Sequence, residues 1–242
     1  MNPLFEPVLE VEPRPTRSDP PEKWRYMRSY LLLRVAVGVV GVALPVVLIV
    51  LDTRLFRDLP DPRGSMSAYY YSGGRDVFVA ALSLSAAFLL TYKTFEKNLD
   101  NVLSIAAGLA AFLVAFFPTG RPSDDIGLTP LQRTFSEEGV EWVHYIASGA
   151  FIVSLGALSV TFGIRAGRRR RTPAMKCSPQ FWRRFHFACA AAILVAVAFI
   201  AFSKLVWAPS DYLLWGEWLA AWAFGASWFM SGFELRVLRG ES

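Results

Sequence analysis

With 242 residues, 54% of them hydrophobic and 19% charged, six apolar stretches and their connectors take up nearly the whole chain and leave little room for a soluble core. Its net charge of +5 is spread between several segments rather than gathered on one basic face, so nucleic acid is not an expected partner. Two cysteines and two histidines supply neither a disulfide framework nor the usual zinc ligand sets, and no cofactor is expected.

In chain order, residues 1–24 form a tail in which Pro3, Pro7, Pro13, Pro15, Pro20 and Pro21 alternate with Glu6, Glu10 and Glu12. Such a segment buries too little apolar surface to fold alone and is expected to be a disordered cytoplasmic tail. No basic stretch leads into an apolar one there, so the first hydrophobic segment is expected to remain as an anchor rather than be cleaved. Residues 25–242 are expected to form one all-α domain, a polytopic bundle of six transmembrane helices. The spans fall at about 31–51, 77–92, 102–117, 142–164, 185–203 and 212–233. A span needs roughly 17–25 mostly apolar residues to cross about 30 Å of hydrocarbon, and the second and third are near the lower limit.

Charge orients the bundle. With both termini cytoplasmic, 17 Lys and Arg lie on the inner side and seven on the outer, leaving Arg34 within span one. That bias follows the positive-inside rule, so the chain is expected to be a multi-pass membrane protein with both termini cytoplasmic. The densest run, Arg168, Arg169, Arg170 and Arg171, is first of all a topology determinant, and it also suits anionic lipid headgroups. Cys177 and Cys189 fall on or near that same reducing side and are read as structural.

The spans carry small residues at four-residue spacing, which lets helices approach where lipid offers no hydrophobic drive for association. These are Ala107, Ala111 and Ala115 in span three, Ala188, Ala192 and Ala196 in span five, and Ala223, Ser227 and Ser231 in span six, with Gly149, Gly156 and Gly225 as further contact points. Trp215 and Trp218 fit an interfacial aromatic belt. Trp222 and Trp228 lie deeper, where each needs a hydrogen-bond partner or an apolar ligand.

Polar residues at membrane depth are the usual pointers to function, and here they gather on the outer side. Ser65 to Asp76 runs from hydroxyls through Tyr69, Tyr70 and Tyr71 and a Gly pair into Arg75 and Asp76, which open span two. His144 stands at the outer end of span four; Asp211 and Glu217 begin span six. Two outer loops, about 52–74 and 118–140, are longer than simple connections need. A ligand site formed by Ser67, Tyr70, Tyr71, Arg75, Asp76, His144 and Glu217 is therefore expected. If chemistry occurs there, Ser67, Asp76, His144 and Glu217 compose its acid–histidine–hydroxyl set. Asp76 also suits a helix N-terminus on its own account, and a single His at an interface is commonly a packing hydrogen-bond donor.

His186, near the inner end of span five, is separated from His144 by about 25 Å of helix rise. The pair cannot share one haem or metal, and no metal site is expected. Phosphate-binding Gly loops, HExxH and GxSxG are absent. No span centre shows the buried acid of a proton-coupled carrier.

The stretch Ser65–Lys93, followed by Asp100-Asn101, Ala107-Gly108, Phe117-Pro118-Thr119 and His144-Tyr145, resembles the pattern of a family of bacterial six-helix membrane proteins. In that pattern a Ser-x-Ser-x-Tyr-Tyr loop leads to Arg-Asp-Val-Phe-Val, and a later helix opens with His-Tyr. More distantly it is similar to the damage-regulated autophagy modulators of eukaryotes. The resemblance implies six spans, cytoplasmic termini and a link to lipid organisation, with no catalytic residues to carry over. The chain departs from it at Ala80, where Gly is expected, and in its tail and Arg-rich loop. The expected function is the binding or sensing of a lipid or small amphiphile by the outer polar cluster, with membrane lipids and a membrane-protein partner as its company. The alternatives are a membrane-embedded hydrolase or transferase acting on a lipid, and a non-catalytic subunit of a membrane complex.

Overall fold

A backbone can cross hydrocarbon only if its N–H and C=O groups pair within the segment, and the apolar stretches of this chain accordingly fold as helices. The computed structural model describes residues 21–56, 61–91, 99–169, 177–206 and 211–233. Among them are seven α-helices and no strand: α1 (Pro21–Val50), α2 (Arg75–Thr91), α3 (Leu99–Phe116), α4 (Pro130–Phe135), α5 (Glu137–Arg168), α6 (Pro179–Val206) and α7 (Asp211–Phe233). A π-helical turn, Leu51–Phe56, extends α1, and a short 3-10 helix, Ser67–Tyr71, precedes α2. Most of the expected tail, residues 1–20, lies outside the described residues.

Four segments are long and apolar enough to cross a membrane: Leu31–Phe56, Leu99–Phe116, Glu137–Arg168 and Pro179–Ser203. α2, at 17 residues, and α7, at 23 residues, fall outside that group. α2 is short, and α7 is diluted by Glu217, Gly, Ser and four Trp. Both nevertheless complete the bundle. α1, α2, α3, α5, α6 and α7 pack in that order, and α1 closes the ring against α7.

The outside of this ring is apolar: Ile146 and Leu194 are each 68% exposed, and Leu84, Val153, Val195 and Phe202 are similarly open. Inside lie small residues and polar groups, including Arg34, Asp100, His144, His186 and Ser227. That inversion is expected of helices solvated by lipid, where close packing and internal hydrogen bonds hold the bundle together. Ala107, Ala111 and Ala115 are all buried on α3, as are Ala223, Ser227 and Ser231 on α7. The α6 stripe is only partly an interface, because Ala196 is buried while Ala188 is exposed.

α1 and α7 meet at glycine contact. A Cβ on Gly225 would lie 2.8 Å from Val42 Cγ2 and 2.9 Å from the Gly38 carbonyl oxygen, so only glycine lets these backbones meet. Trp222 on the same face donates its indole N–H to the Val42 carbonyl at 2.9 Å, and Trp228 is fully buried among Phe88, Phe162 and Phe224 with the Arg34 guanidinium over its ring. Trp222 thus finds a hydrogen-bond acceptor, and Trp228 an aromatic cluster, within the protein. At the same end of the bundle Arg165 pairs with buried Asp100 and fastens α5 to α3. His186 hydrogen-bonds Ser227 there at 2.9 Å, fastening α6 to α7.

Gly225→Leu should wedge α1 from α7 and lower stability by about 1–3 kcal/mol, the usual cost of overpacking. Gly149→Ala, at a position with open space around it, should leave thermal unfolding in detergent unchanged. Equal melting temperatures for the wild type and Gly225→Leu would show that this contact does not hold the ring.

Candidate functional site

The site is built by a loop folded back into one end of the bundle. Asp52, fully buried in the π-helical turn, receives a two-pronged ion pair from Arg63, with Nε–Oδ2 at 2.9 Å and a second nitrogen at 3.2 Å from Oδ1. The backbone N–H of Arg63 donates to the Tyr69 hydroxyl at 3.3 Å. One residue further on, the Gly64 carbonyl accepts the Leu214 N–H at 2.9 Å, satisfying a donor in the first turn of α7. The Met66 N–H then donates to Glu217 Oε2 at 2.6 Å, a short charge-assisted bond. Ser65 Oγ accepts the Ala68 N–H at 3.0 Å and starts the 3-10 helix that carries Ser67. Ser67 is thereby delivered to the inner wall of the bundle.

There it meets His144 on α5. His144 is 2% exposed; its Nδ1 lies 2.6 Å from the Phe117 carbonyl oxygen, and its Nε2 lies 2.9 Å from Ser67 Oγ. A carbonyl only accepts, so Nδ1 carries a hydrogen, and in the neutral imidazole Nε2 presents its lone pair. Ser67, 7% exposed, therefore donates its hydroxyl proton toward the imidazole. Phe117 directly follows α3 and its N–H bonds the Leu113 carbonyl at 2.8 Å, so this chain of bonds joins the loop, α5 and α3.

Two adjoining cavities open from the pair. One, about 220 Å³, is lined by Ser67, Thr119, His144 and Glu217 at its polar end and by α5 and α6 residues such as Ile152, Val153 and Ile200 elsewhere. The other, about 90 Å³, reaches between α2, α3 and α5 past Phe78, Leu82, Val114 and Leu155. Ser67, Ser148, Ile152 and Glu217 line both. Among the described lining residues Glu217 is the sole carboxylate, and no Lys or Arg is present. The Ser148 hydroxyl, one turn along α5 from His144, is buried with no hydrogen-bond partner. An unmet buried donor of that kind costs about 1–3 kcal/mol.

A second loop covers the polar end. The Tyr71 hydroxyl donates to the Thr119 carbonyl at 2.6 Å and accepts from Gln132 Nε2 at 2.9 Å. Gln132 is held by a capping box with Thr129 at the start of α4. Arg121 binds both Glu137 carboxylate oxygens at 2.9 Å and the Ile126 carbonyl at 2.7 Å, giving residues 120–137 a fixed shape. Burial pushes the Tyr69 and Tyr71 phenols above their usual range, so both stay protonated at neutral pH.

The expected site residues therefore divide. Ser67, His144 and Glu217 meet at the cavities, whereas Arg75 and Asp76 are exposed and line neither. Arg75 instead bonds the Tyr70 hydroxyl at 2.7 Å and lies 4.3 Å from the centre of its ring. Tyr70 and Tyr71 shape the loop behind Ser67 and do not line the cavities. Arg168 is exposed at the far end of α5, where cations suit the helix C-terminus. Arg169 follows it, while Arg170, Arg171 and the Asp211 side chain lie outside what the structure describes. His186 touches none of this. Among the described residues no three His, Cys, Asp or Glu side chains gather as metal ligands.

Several partners had only faint sequence signals. Ser148 sits four residues after His144 and so shares its helix face. The Phe117 carbonyl, the Asp52–Arg63 pair and the Arg121–Glu137 pair had none. Tyr71→Phe should strand the buried Gln132 amide, speed proteolysis within residues 120–136 and destabilise the fold by about 1–3 kcal/mol. Unaltered proteolysis would show that Tyr71 does not hold the second loop.

Comparison with family models, curated proteins and solved structures gives no match to this chain. Its function is therefore argued from the geometry of the Ser67–His144–Glu217 cavity.

Proposed function

We propose that this chain is a six-span protein of the bacterial inner membrane, with both termini cytoplasmic, that binds an amphiphile from the outer leaflet. One observation carries the reading: an apolar cavity ends in Ser67, His144 and Glu217, three polar side chains brought together by a loop at the end of a lipid-solvated bundle. Hydrocarbon fits the walls formed by α5 and α6, and a headgroup with hydroxyl, carbonyl or amine character fits the polar end.

The volume limits the occupant. About 220 Å³ is below the ~300–1,000 Å³ of ordinary small-molecule pockets. The ligand therefore inserts one chain or the headgroup-proximal part of itself and leaves the rest in the bilayer. Gly149 lines this cavity, and the space beside it is open, which provides a lateral opening between α5 and lipid. Charge limits it too: among the described lining residues Glu217 is the only carboxylate and none is Lys or Arg, so neutral or cationic headgroups are favoured over phosphate. The charge of the run Arg168 to Arg171 suits anionic lipid headgroups on the cytoplasmic side.

Lipids retained by the protein in mild detergent, identified by native mass spectrometry, test the reading. Gly149→Trp should fill the opening and reduce the retained amphiphile at least tenfold, and His144→Ala should weaken it. Asp76→Asn, outside the cavity, should match the wild type. An identical lipid profile in all four proteins would refute the site.

Orientation has its own test. Alkaline phosphatase inserted at Gly127, an exposed position with open space around it, should be active, whereas a C-terminal fusion should be inactive. The reverse pattern would invert the proposed topology.

A further inference from the structure

We infer that Ser67 is an acylatable nucleophile with His144 as its base, and that the cavity hydrolyses carboxylic esters of single-chain, neutral or cationic amphiphiles. This rests on the amphiphile reading above and adds a reaction to it.

Three observations combine. First, the Ser67 hydroxyl lies within reach of a base: His144 Nε2 is 2.9 Å from Oγ, inside the 2.6–3.2 Å that general-base catalysis requires. The Phe117 carbonyl on Nδ1 fixes the one tautomer in which Nε2 can take that proton. A Ser–His bond serving only to fasten a loop to α5 would need no space beside it. Here Ser67 lines both cavities and His144 the larger one.

Second, a carboxylate lines the same cavity as the imidazole that takes the proton. In a familiar triad a carboxylate sits on Nδ1; here that place is taken by a neutral carbonyl. Glu217 supplies the negative charge from α7 instead, across the same cavity, held in place by the Met66 N–H at 2.6 Å. Glu217 is thus a positioning and electrostatic residue rather than a relay.

Third, Ser148 offers a donor without an acceptor. Its hydroxyl is buried, unpartnered among the described residues, and in the lining of both cavities. It stands on the same face of α5 as His144, where it can donate to the oxygen of a bound carbonyl. Donors aimed at developing charge in a water-poor site are the largest single contributors to acyl transfer.

The reaction balances with water as the only co-reactant. Ser67 Oγ bonds to the ester carbonyl carbon as its proton passes to His144 Nε2, and Ser148 donates to the oxyanion. Collapse breaks the carbon–oxygen bond to the alcohol, which leaves with the proton from His144. Water then attacks the acyl–Ser67 ester, giving a proton to His144. Release of the carboxylic acid returns that proton to Ser67 Oγ. The acyl chain occupies the pocket by Phe78, Leu82 and Leu155, and the alcohol portion departs past Gly149.

The full-length protein in nanodiscs is treated with an alkyl fluorophosphonate and, separately, with 4-nitrophenyl octanoate. Peptide mass spectrometry should find the phosphonate on Ser67, and octanoate hydrolysis should fall at least 100-fold in Ser67→Ala and His144→Gln. Ser148→Ala should lower the turnover number at least tenfold with KM little changed, the split expected of a group that acts on the transition state. Each variant is compared at matched melting temperature with Asp76→Asn, which should react as the wild type does. If His144→Gln proves unstable, Ser67→Cys supplies the second line: alkylation by iodoacetamide should move to residue 67 and depend on His144 through its pH profile. Absence of any Ser67 adduct in protein that still retains an amphiphile overturns the reaction and leaves the binding site standing. Absence of both the adduct and the amphiphile overturns the two together. Labelling of Ser67 at an equal rate in His144→Gln removes the base and with it the inference.

Discussion

Residues 61–74 are pinned into one end of the helix ring by hydrogen bonds that leave few backbone groups to choose another partner. Asp52 holds Arg63, Gly64 satisfies a first-turn donor of α7, Met66 is held by Glu217, and Ser67 is held by His144. A segment of irregular backbone at the edge of a membrane is stable only when its polar groups are met inside the protein. That constraint makes the site. The bonds that satisfy the loop also place a hydroxyl, an imidazole and a carboxylate at one end of an apolar cavity.

The rest of the molecule makes that loop position reproducible. α1 and α7 meet at glycine contact, α3 presents a buried alanine stripe, and polar fasteners at the opposite end join α3 to α5 and α6 to α7. The Asp100–Arg165 pair and the His186–Ser227 bond are buried and distant in sequence, so each ties together helices that apolar packing alone would leave free to slide. The two histidines thus serve opposite ends of the bundle, with different hydroxyl partners. Tyr71, Gln132 and Arg121 lay the second loop over the polar end.

Much of this architecture was legible before any coordinates. The stretches at 31–51, 102–117, 142–164 and 185–203 correspond to helices that meet the length and hydropathy of a span. Those at 77–92 and 212–233 are helices of the same ring. Within the site, Ser67, His144 and Glu217 were visible as polar residues at the ends of apolar runs. Arg75 and Asp76 had the same signal but turned outward. Their position at the start of α2 follows helix phase and the Arg75–Tyr70 contact, which a linear pattern does not contain. Trp222 and Trp228, equally visible, find a backbone carbonyl and an aromatic cluster rather than a ligand.

The sequence by itself determined that this chain is helical and suited to lipid, because hydropathy and backbone pairing act locally along each segment and read the same in any arrangement. Only the tertiary structure decided which polar residues meet. Ser67 reaches His144 across 77 positions, and Met66 reaches Glu217 across 151. Which partner wins at such separations depends on helix order, helix rotation and the space left between side chains.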